Sequence, residues 1–398
     1  MTDSCDILIS GGGIAGLTAA VAFGTAGFKV ICVDPTPPVT DAAAQGADLR
    51  STAMLQPARI LLERAGLWDA LAPHAAPLQI MRIIDAGGAH AEPRVTKEFD
   101  AAEISGQPFG WNFPNWLLRR EILARLDELG TVDFRPGIST ARLFTRNTGA
   151  KVTLSDGSRV AAKLVIAADG RTSPMRVASG IGVHTQRYGQ KALVFAVTHP
   201  QPHQNVSTEI HRTGGPFTLV PLPDRDGLPC SAVVWMDDGR LAQERLEMDV
   251  DAFEEAASIR SCHHFGPLTL VGRRQVWPII TQHAERLSAE RVALIAEAAH
   301  VMPPIGAQGL NMSLNDIATL LDLAQERPEG LGDAGMLEAY HKARYGDITL
   351  RVRGIDLLNR TSQASSTLAR DARAAGLNAL YSAAPIRKML MQMGLGMR

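Results

Sequence analysis

The stretch DILISGGGIAG, Asp6 through Gly16, decides the fold. Asp6 to Ser10 is a short apolar strand, the small residues that follow to about Gly27 suit a closely packed helix, and residues 29–34 form a second strand. G-x-G-x-x-G therefore stands at Gly11, Gly13 and Gly16 in the strand-turn-helix setting that gives the motif meaning. Gly11 permits the tight turn, Gly13 lets backbone approach a pyrophosphate, and Gly16 lets helix and strand pack closely. Asp34, about 20 residues on, sits where a carboxylate hydrogen-bonds a ribose 2′-hydroxyl. The pattern predicts dinucleotide binding; a glycine-rich turn that merely opens a helix is the alternative.

A second stretch, RVALIAEAAHVMPPIGAQGLN at residues 291–311, reads as a buried strand over 292–296 ending in an acid, Glu297. A Pro-Gly loop follows (Pro303, Pro304, Gly306, Gly309), then a helix beginning near Leu310 and Asn311. The carboxylate can accept hydrogen bonds from hydroxyls, while the helix N-terminus offers unpaired N–H groups to a developing anion. A ligand with both hydroxyls and an electron-poor ring would be a flavin.

At 398 residues, 45% hydrophobic and 20% charged, the chain has room for two or three domains and a large core. A formal charge of −1 gives no global field for nucleic acid or another polyanion. From Arg351 onward, however, eight Arg and Lys face only Asp356 and Asp371. Cys5, Cys32, Cys230 and Cys262 have no C-x-x-C spacing, against a structural zinc or a disulfide scaffold and in favour of a reducing compartment. No signal-peptide pattern and no apolar run of about 18 residues is visible, so a cytoplasmic protein is expected, with membrane contact only at its surface.

Along the chain, residues 47–65 read as a helix with Arg50 near its start, 80–85 as a strand, and 87–108 as irregular. A helix over 119–129 would carry Arg119 and Arg120 in its first turn, where cations oppose the helix dipole unless an anionic partner is present. A hairpin around Ser155-Asp156-Gly157 leads to a strand over 164–168 that ends in Asp169-Gly170, again an acceptor at a strand end. Strand-like runs at 191–198, 206–212, 217–221 and 230–236 predict an inserted antiparallel sheet. His263-His264 has no further ligand at metal spacing, and no metal is expected. Beyond Gln308 the chain reads as helical, with breaks at 328–332 and at Pro385. In the tail, Ile386, Met389, Leu390 and Met393 share a helical face. That face either packs on the protein's own core or forms, with Arg387 and Lys388, a basic amphipathic surface for anionic lipid.

These pieces in this order resemble the class A flavoprotein monooxygenases of the para-hydroxybenzoate hydroxylase type. Within them they resemble the ubiquinone-biosynthesis hydroxylases, through DLRSTAML at 48–55, GPFTLVPLPD at 215–224, VWPI at 276–279 and the tail at 384–394. The resemblance implies an α/β fold: a Rossmann-like FAD-binding domain, an inserted antiparallel β-sheet substrate domain and a C-terminal helical region. The expected division is residues 1–75, 100–178 and 270–335 for the first, 76–99 and 179–269 for the second, and 336–398 for the third. It further implies that Gly11, Gly13, Ile14, Ala15 and Gly16 cradle the FAD pyrophosphate and Asp34 the adenosine ribose. Arg50 and Arg120 would contact the cofactor, with Arg119 competing for the second role. Asp169 and Glu297 would be the acids of the second and third signatures, Gly309, Leu310 and Asn311 would meet the flavin's pyrimidine edge, and Pro304 would present its carbonyl to the substrate hydroxyl.

The activity so implied is insertion of one oxygen atom from O2 into a polyprenylated phenol of ubiquinone biosynthesis by way of a C4a-hydroperoxyflavin. NAD(P)H or a reductase partner would be the electron donor, and other ubiquinone-biosynthesis proteins and a peripheral position at the inner face of a membrane would be the setting. One departure matters: Ala296-Glu297 stands where the family has Gly-Asp. The base that deprotonates the phenol has no counterpart among the four tyrosines. Three other readings stay open: a hydroxylase of a small soluble aromatic compound, a non-catalytic flavin-binding scaffold, and a flavin-dependent halogenase, whose Trp-x-Trp-x-Ile-Pro signature is absent.

Overall fold

The computed structural model describes residues 2–88, 90–363 and 366–395. Its first sheet runs Ser288–Ala289, Val292–Leu294, Arg159–Ala167, Thr2–Ser10, Val30–Asp34, Val132–Pro136, with Gly149–Leu154 and Thr140–Arg146 added as a hairpin beside Arg159–Ala167. From Val292–Leu294 to Val132–Pro136 the pairing is parallel. A parallel sheet is covered on both faces, so the middle of its central strands is apolar; Ile7, Leu8, Ile9, Leu164, Val165 and Ile166 are fully buried. The helix Ile14–Thr25 has no charged residue and is buried from Ile14 to Gly24, as a helix apolar all round must be. It lies so close to the first strand that a Cβ on Gly16 would stand 1.9 Å from the Gly11 carbonyl oxygen.

The second sheet has the order His300–Val301, Thr269–Ala284, Val183–Thr198, Leu228–Asp238, Pro216–Arg225, Val206–His211, Ile80–Asp85, Val95–Asp100. It is antiparallel except where Val206–His211 meets Ile80–Asp85. Alternate residues separate its faces. Phe195, Phe217 and Trp235 pack on one side with Phe253 of the helix Val250–Arg260. The opposite side turns toward the loops that end the first sheet. A small sheet of Ser51–Leu55, Gly110–Pro114 and Ala76–Leu78 bridges the two.

The structure corrects several local expectations. Residues 47–65 are not one helix: Ser51–Leu55 is a strand against Gly110–Pro114, and the helix is Gln56–Arg64, with Pro57 in the first turn, where its missing N–H costs nothing. The segment 87–108 contains the strand Val95–Asp100, paired with Ile80–Asp85. The helix expected at 119–129 begins at Asn115, after extended Pro114, so Arg119 and Arg120 lie in its second turn. Thr269–Ala284, assigned on sequence largely to the first domain, pairs along its length with Val183–Thr198 and belongs to the second sheet. In the C-terminal region Ala334–Ser362 and Thr367–Ser382 are separate helices, the second capped by Ser366 Oγ accepting from Ala369 N–H. The tail helix is Ala384–Leu395. No helix among the described residues is long and apolar enough to cross a membrane.

Candidate functional site

Three neighbouring parallel strands end side by side, and each is followed by one of the three sequence signatures. Ser10 is followed by Gly11, Ala167 by Ala168-Asp169-Gly170, and Leu294 by Ile295-Ala296-Glu297. The carboxyl ends of such strands are where open α/β sheets bind ligands.

Gly11 has φ +110° and would drive a Cβ to 2.3 Å from the Ala168 carbonyl oxygen, so only glycine fits. Gly13 is the opposite case: a Cβ there would meet nothing within 4 Å, and the residue opens on the main cavity with Ile14, Ala15 and Gly16. Asp34 accepts from Gly12 N–H at 2.6 Å and from Thr36 N–H at 2.7 Å, so it braces the glycine turn from the end of the second strand. Asp169 accepts from Ser10 Oγ (3.3 Å) and Met175 N–H (3.1 Å), while its Oδ1 is buried without a hydrogen-bond partner. Burial pushes its carboxyl up despite the hydrogen bonds from Ser173, Met175 and Ser10 that work the other way. It is Ala168 and Gly170 beside it that line the cavity.

Arg50 lies on the cavity wall in a loop, its guanidinium held by Asp48 at 2.8 and 2.7 Å and laid over the Trp277 ring at 4.3 Å. Asp48 also accepts from Asn115 Nδ2 at 2.9 Å and has Arg119 at 3.7 Å. Burial works to raise the Asp48 carboxyl, but these partners outweigh it and hold it below the ordinary carboxylate range. Arg119 lines the cavity; Arg120, about 100° further round the helix, instead pairs with Glu121 and lies over Trp116 near the surface. The geometry thus brings Arg119 to the site and leaves Arg120 outside it. Asp48, Asn115 and Trp277 were missed from sequence, the only signal being the Asp-x-Arg spacing at 48–50.

Ala296 and Glu297 do not end a strand but begin the one-turn helix Ala296–Ala299. Ala296 has φ +54°, a left-handed conformation that favours glycine. Glu297 is exposed to the cavity, close enough to help sustain the charge of Arg50 against burial, after Asp48. In the loop beyond, Ile305 N–H returns to the Pro303 carbonyl at 2.8 Å and leaves Pro304 at the apex of the turn. Ala307, at φ +55°, then starts the helix Gln308–Glu326 without a side-chain cap, so its first N–H groups remain available beside Gly309 and Leu310 on the cavity wall. Asn311 faces away from that wall. Its Oδ1 accepts from Leu55 N–H (2.8 Å) and its Nδ2 donates to the carbonyls of Ala53 (2.7 Å) and Ala307 (2.6 Å).

Behind the loop a chain of hydrogen bonds and ion pairs runs from buried His300 to Asp316 (2.8 Å), from Asp316 to Arg344 (2.8 Å), through Asp347 to Arg351, and on to Gln308 (2.7 Å). Gln308 donates to the carbonyls of Gly306 and Gly394, each at 2.9 Å. Both ends of the Pro-Gly loop are therefore fixed by one network that also reaches the tail helix.

The cavity encloses about 2020 Å³. It extends from Gly13 past Arg50 and Pro304 to the face of the second sheet, and on between that sheet and the helices after residue 334. Ligand sites ordinarily span about 300–1,000 Å³, so there is room for more than one ligand. An open glycine cradle, an uncapped helix N-terminus, Arg50 and Arg119, and the Glu297 carboxylate fit a flavin dinucleotide.

Comparison with known proteins agrees. The FAD binding domain family model matches residues 4–349. The chain is 33% identical over 394 residues to ubiquinone hydroxylase UbiL of Rhodospirillum rubrum, covering 98% of this chain and 89% of that one. It is 26% identical to the 3-demethoxyubiquinol 3-hydroxylase of Escherichia coli, covering 98% of each. Among solved structures it shares the fold of p-nitrophenol 4-monooxygenase of Pseudomonas putida, with TM-score 0.80, 18% identity and full coverage of both chains. On the match over residues 4–349 and the extent of these similarities, the chain belongs to the FAD-binding-domain family of flavin-dependent monooxygenases.

Proposed function

We propose that this monooxygenase hydroxylates a polyprenylated phenol in ubiquinone biosynthesis. The observation that carries the reading is the continuity of the cavity. One space passes the Gly13 cradle and the Pro304 turn and then becomes a slot lined by Leu350, Leu358, Leu377, Leu380, Leu390 and Met393 of the C-terminal helices. A ring would lie beside Pro304, and an isoprenoid tail would take the slot.

When bound, FAD supplies the reducing electrons and the activation of O2 by which one oxygen atom enters the ring. The protein's part is placement. Gly13 to Gly16 would hold the pyrophosphate, Asp34 the ribose, Arg50 and Arg119 the cofactor's charge, and Glu297 the ribityl neighbourhood. Backbone N–H groups at Gly309 and Leu310 would favour negative charge at the pyrimidine edge. Pro303, Pro304 and Ile305 would keep water from the reacting atoms, with the Pro304 carbonyl toward the ring. The sheet around Thr2–Ser10 would serve the cofactor and the sheet around Val183–Thr198 the substrate, a division supported by the pairing of Thr269–Ala284 with the latter. NAD(P)H or a reductase would deliver electrons.

Leu357, Ile386 and Met389 of the same helices are exposed outside the slot lining, and Lys388 is exposed between the last two. This surface would suit peripheral contact with an anionic membrane, so that a prenylated substrate would enter without crossing water.

Anaerobic reduction of the FAD-loaded protein, then an O2 pulse with a phenol carrying two isoprene units, tests the reading by mass analysis of the product. Addition of one oxygen atom is expected. Oxygen consumption without product for prenylated phenols, alongside product from an unprenylated one, would move the assignment to a small soluble aromatic.

A further inference from the structure

One wall of the cavity carries a pair of ionisable side chains that the reading above leaves without a task. On the strand Val206–His211 the residues alternate: Thr208 and Ile210 are wholly buried on the far face, while Ser207, Glu209 and His211 line the cavity. Glu209 Oε1 and His211 Nε2 are 2.7 Å apart, and both side chains are largely buried. A carboxylate and an imidazole in an apolar slot need a reason, because burying charge without a partner is costly.

Their position supplies one. Across the sheet Glu209 pairs with Thr218, and Thr218 pairs with Val234. All three line the cavity, and Val234 packs against the buried cluster that contains Ile305, the residue after Pro303-Pro304. Two strand spacings, about 10 Å, therefore separate Glu209 from Val234 across the sheet. Glu209 and Pro304 line the same cavity, and a phenol bound in it with its ring toward the turn would have Glu209 on the sheet side.

We propose that Glu209, oriented by His211, is the acceptor of the substrate's phenolic proton. The inference rests on the phenol-hydroxylase reading. As the ring carbon gains its oxygen, positive charge develops on the ring. The phenolic O–H bond breaks, its electron pair stays on the ring oxygen as a carbonyl forms, and the proton passes to the Glu209 carboxylate. His211 is a positioning residue: its Nε2–H donates to one carboxylate oxygen and turns the other toward the cavity. The surrounding charges are accounted for. On the adjacent strand Asp85, opposite His211, is paired with Arg94 and with Arg373 of the helix Thr367–Ser382, and the Pro216–Arg225 strand presents uncharged Thr218 and Val220 to the cavity.

The test needs no turnover. A prenylated nitrophenol, whose ionisation is read from its visible spectrum, is titrated when bound to the FAD-loaded protein. A carboxylate beside the phenol disfavours phenolate, so the bound midpoint should lie at least about one pH unit higher in wild type than in E209Q. E209D, which keeps the charge, should stay near wild type and serves as the control for folding. With a reactive prenylphenol, E209Q should retain FAD and substrate-stimulated oxygen uptake but hydroxylate about 100-fold more slowly, and H211A should fall between the two. A wild-type midpoint in E209Q, or wild-type hydroxylation by it, overturns the proposal. Absence of hydroxylation by the wild type would count against the phenol-hydroxylase reading instead, and the nitrophenol midpoint would still decide the place of Glu209.

Discussion

Asn311 fastens the start of the helix Gln308–Glu326 to Leu55, accepting the Leu55 N–H at 2.8 Å while it donates to the carbonyls of Ala53 and Ala307. The cavity-facing end of that helix is thereby tied to the strand that follows Arg50. N311A leaves these backbone groups unpaired in a buried setting, at about 1–3 kcal/mol for each unsatisfied group. A loss of about 3 kcal/mol in urea unfolding is expected, together with weaker FAD retention because helix and arginine loop no longer share an anchor.

Ala296 holds φ +54° immediately before Glu297. Left-handed backbone costs an L-residue about 1–2 kcal/mol, part of which glycine gives back through the entropy of the unfolded chain. A296G should therefore stabilise the protein by about 0.5–1 kcal/mol, and A296V should destabilise it by more than that. Equilibrium unfolding of the two variants side by side checks the sign.

Arg119 and Arg120 are adjacent in sequence and opposite in consequence. R119A should weaken FAD binding about tenfold or more, because it removes a cation from the cavity wall and from Asp48. R120A should leave FAD binding unchanged, its partner being Glu121 outside the cavity. Fluorescence titration of apoprotein with FAD separates them.

Asp85 governs an acid sensitivity. Burial would raise its carboxyl, but hydrogen bonds from Arg94, Gly87 N–H and Arg373 outweigh this and hold it below the ordinary value. A depressed folded value means its contribution is complete above the unfolded value, near pH 4, and is lost as pH falls through the lower folded value. Since Arg373 lies on the helix Thr367–Ser382, that helix should become protease-sensitive as the pH drops from 5 toward 3. D85N should make it equally sensitive at pH 7.

A buried charge should dominate one further variant. Asp316 is fully buried between His300 and Arg344. D316N leaves the Arg344 guanidinium with Asp347 as its remaining acidic partner, and the loss of the fully buried carboxylate should cost up to about 3 kcal/mol. The loss should be seen in thermal unfolding, with the Arg351–Gln308 end of the network loosened as well.

The dinucleotide fold was legible because its demands are local. Gly11, Gly13 and Gly16 each answer a backbone constraint that can be named from spacing, and the alternating strands of the second sheet carry their period in the chain. What was not legible depended on partners far away in sequence. The strand at Ser51–Leu55 exists because Gly110–Pro114 lies beside it, and without that neighbour DLRSTAML reads as readily as the start of a helix. The choice between Arg119 and Arg120 turned on where a helix begins, and Pro114 shifted that start by four residues. Asp34 and Asn311 were expected to face the ligand, yet each also spends hydrogen bonds bracing the backbone around it. Glu209 and His211 passed unnoticed because two residues of one short strand acquire meaning only when the opposite wall of the cavity is known.

Leu350, Leu358, Leu380, Leu390 and Met393 line the slot and stay largely accessible to solvent. Apolar surface left open in this way is driving force held in reserve: a ligand lying along the slot would take it out of water, at about 25 cal/mol for each Å² covered.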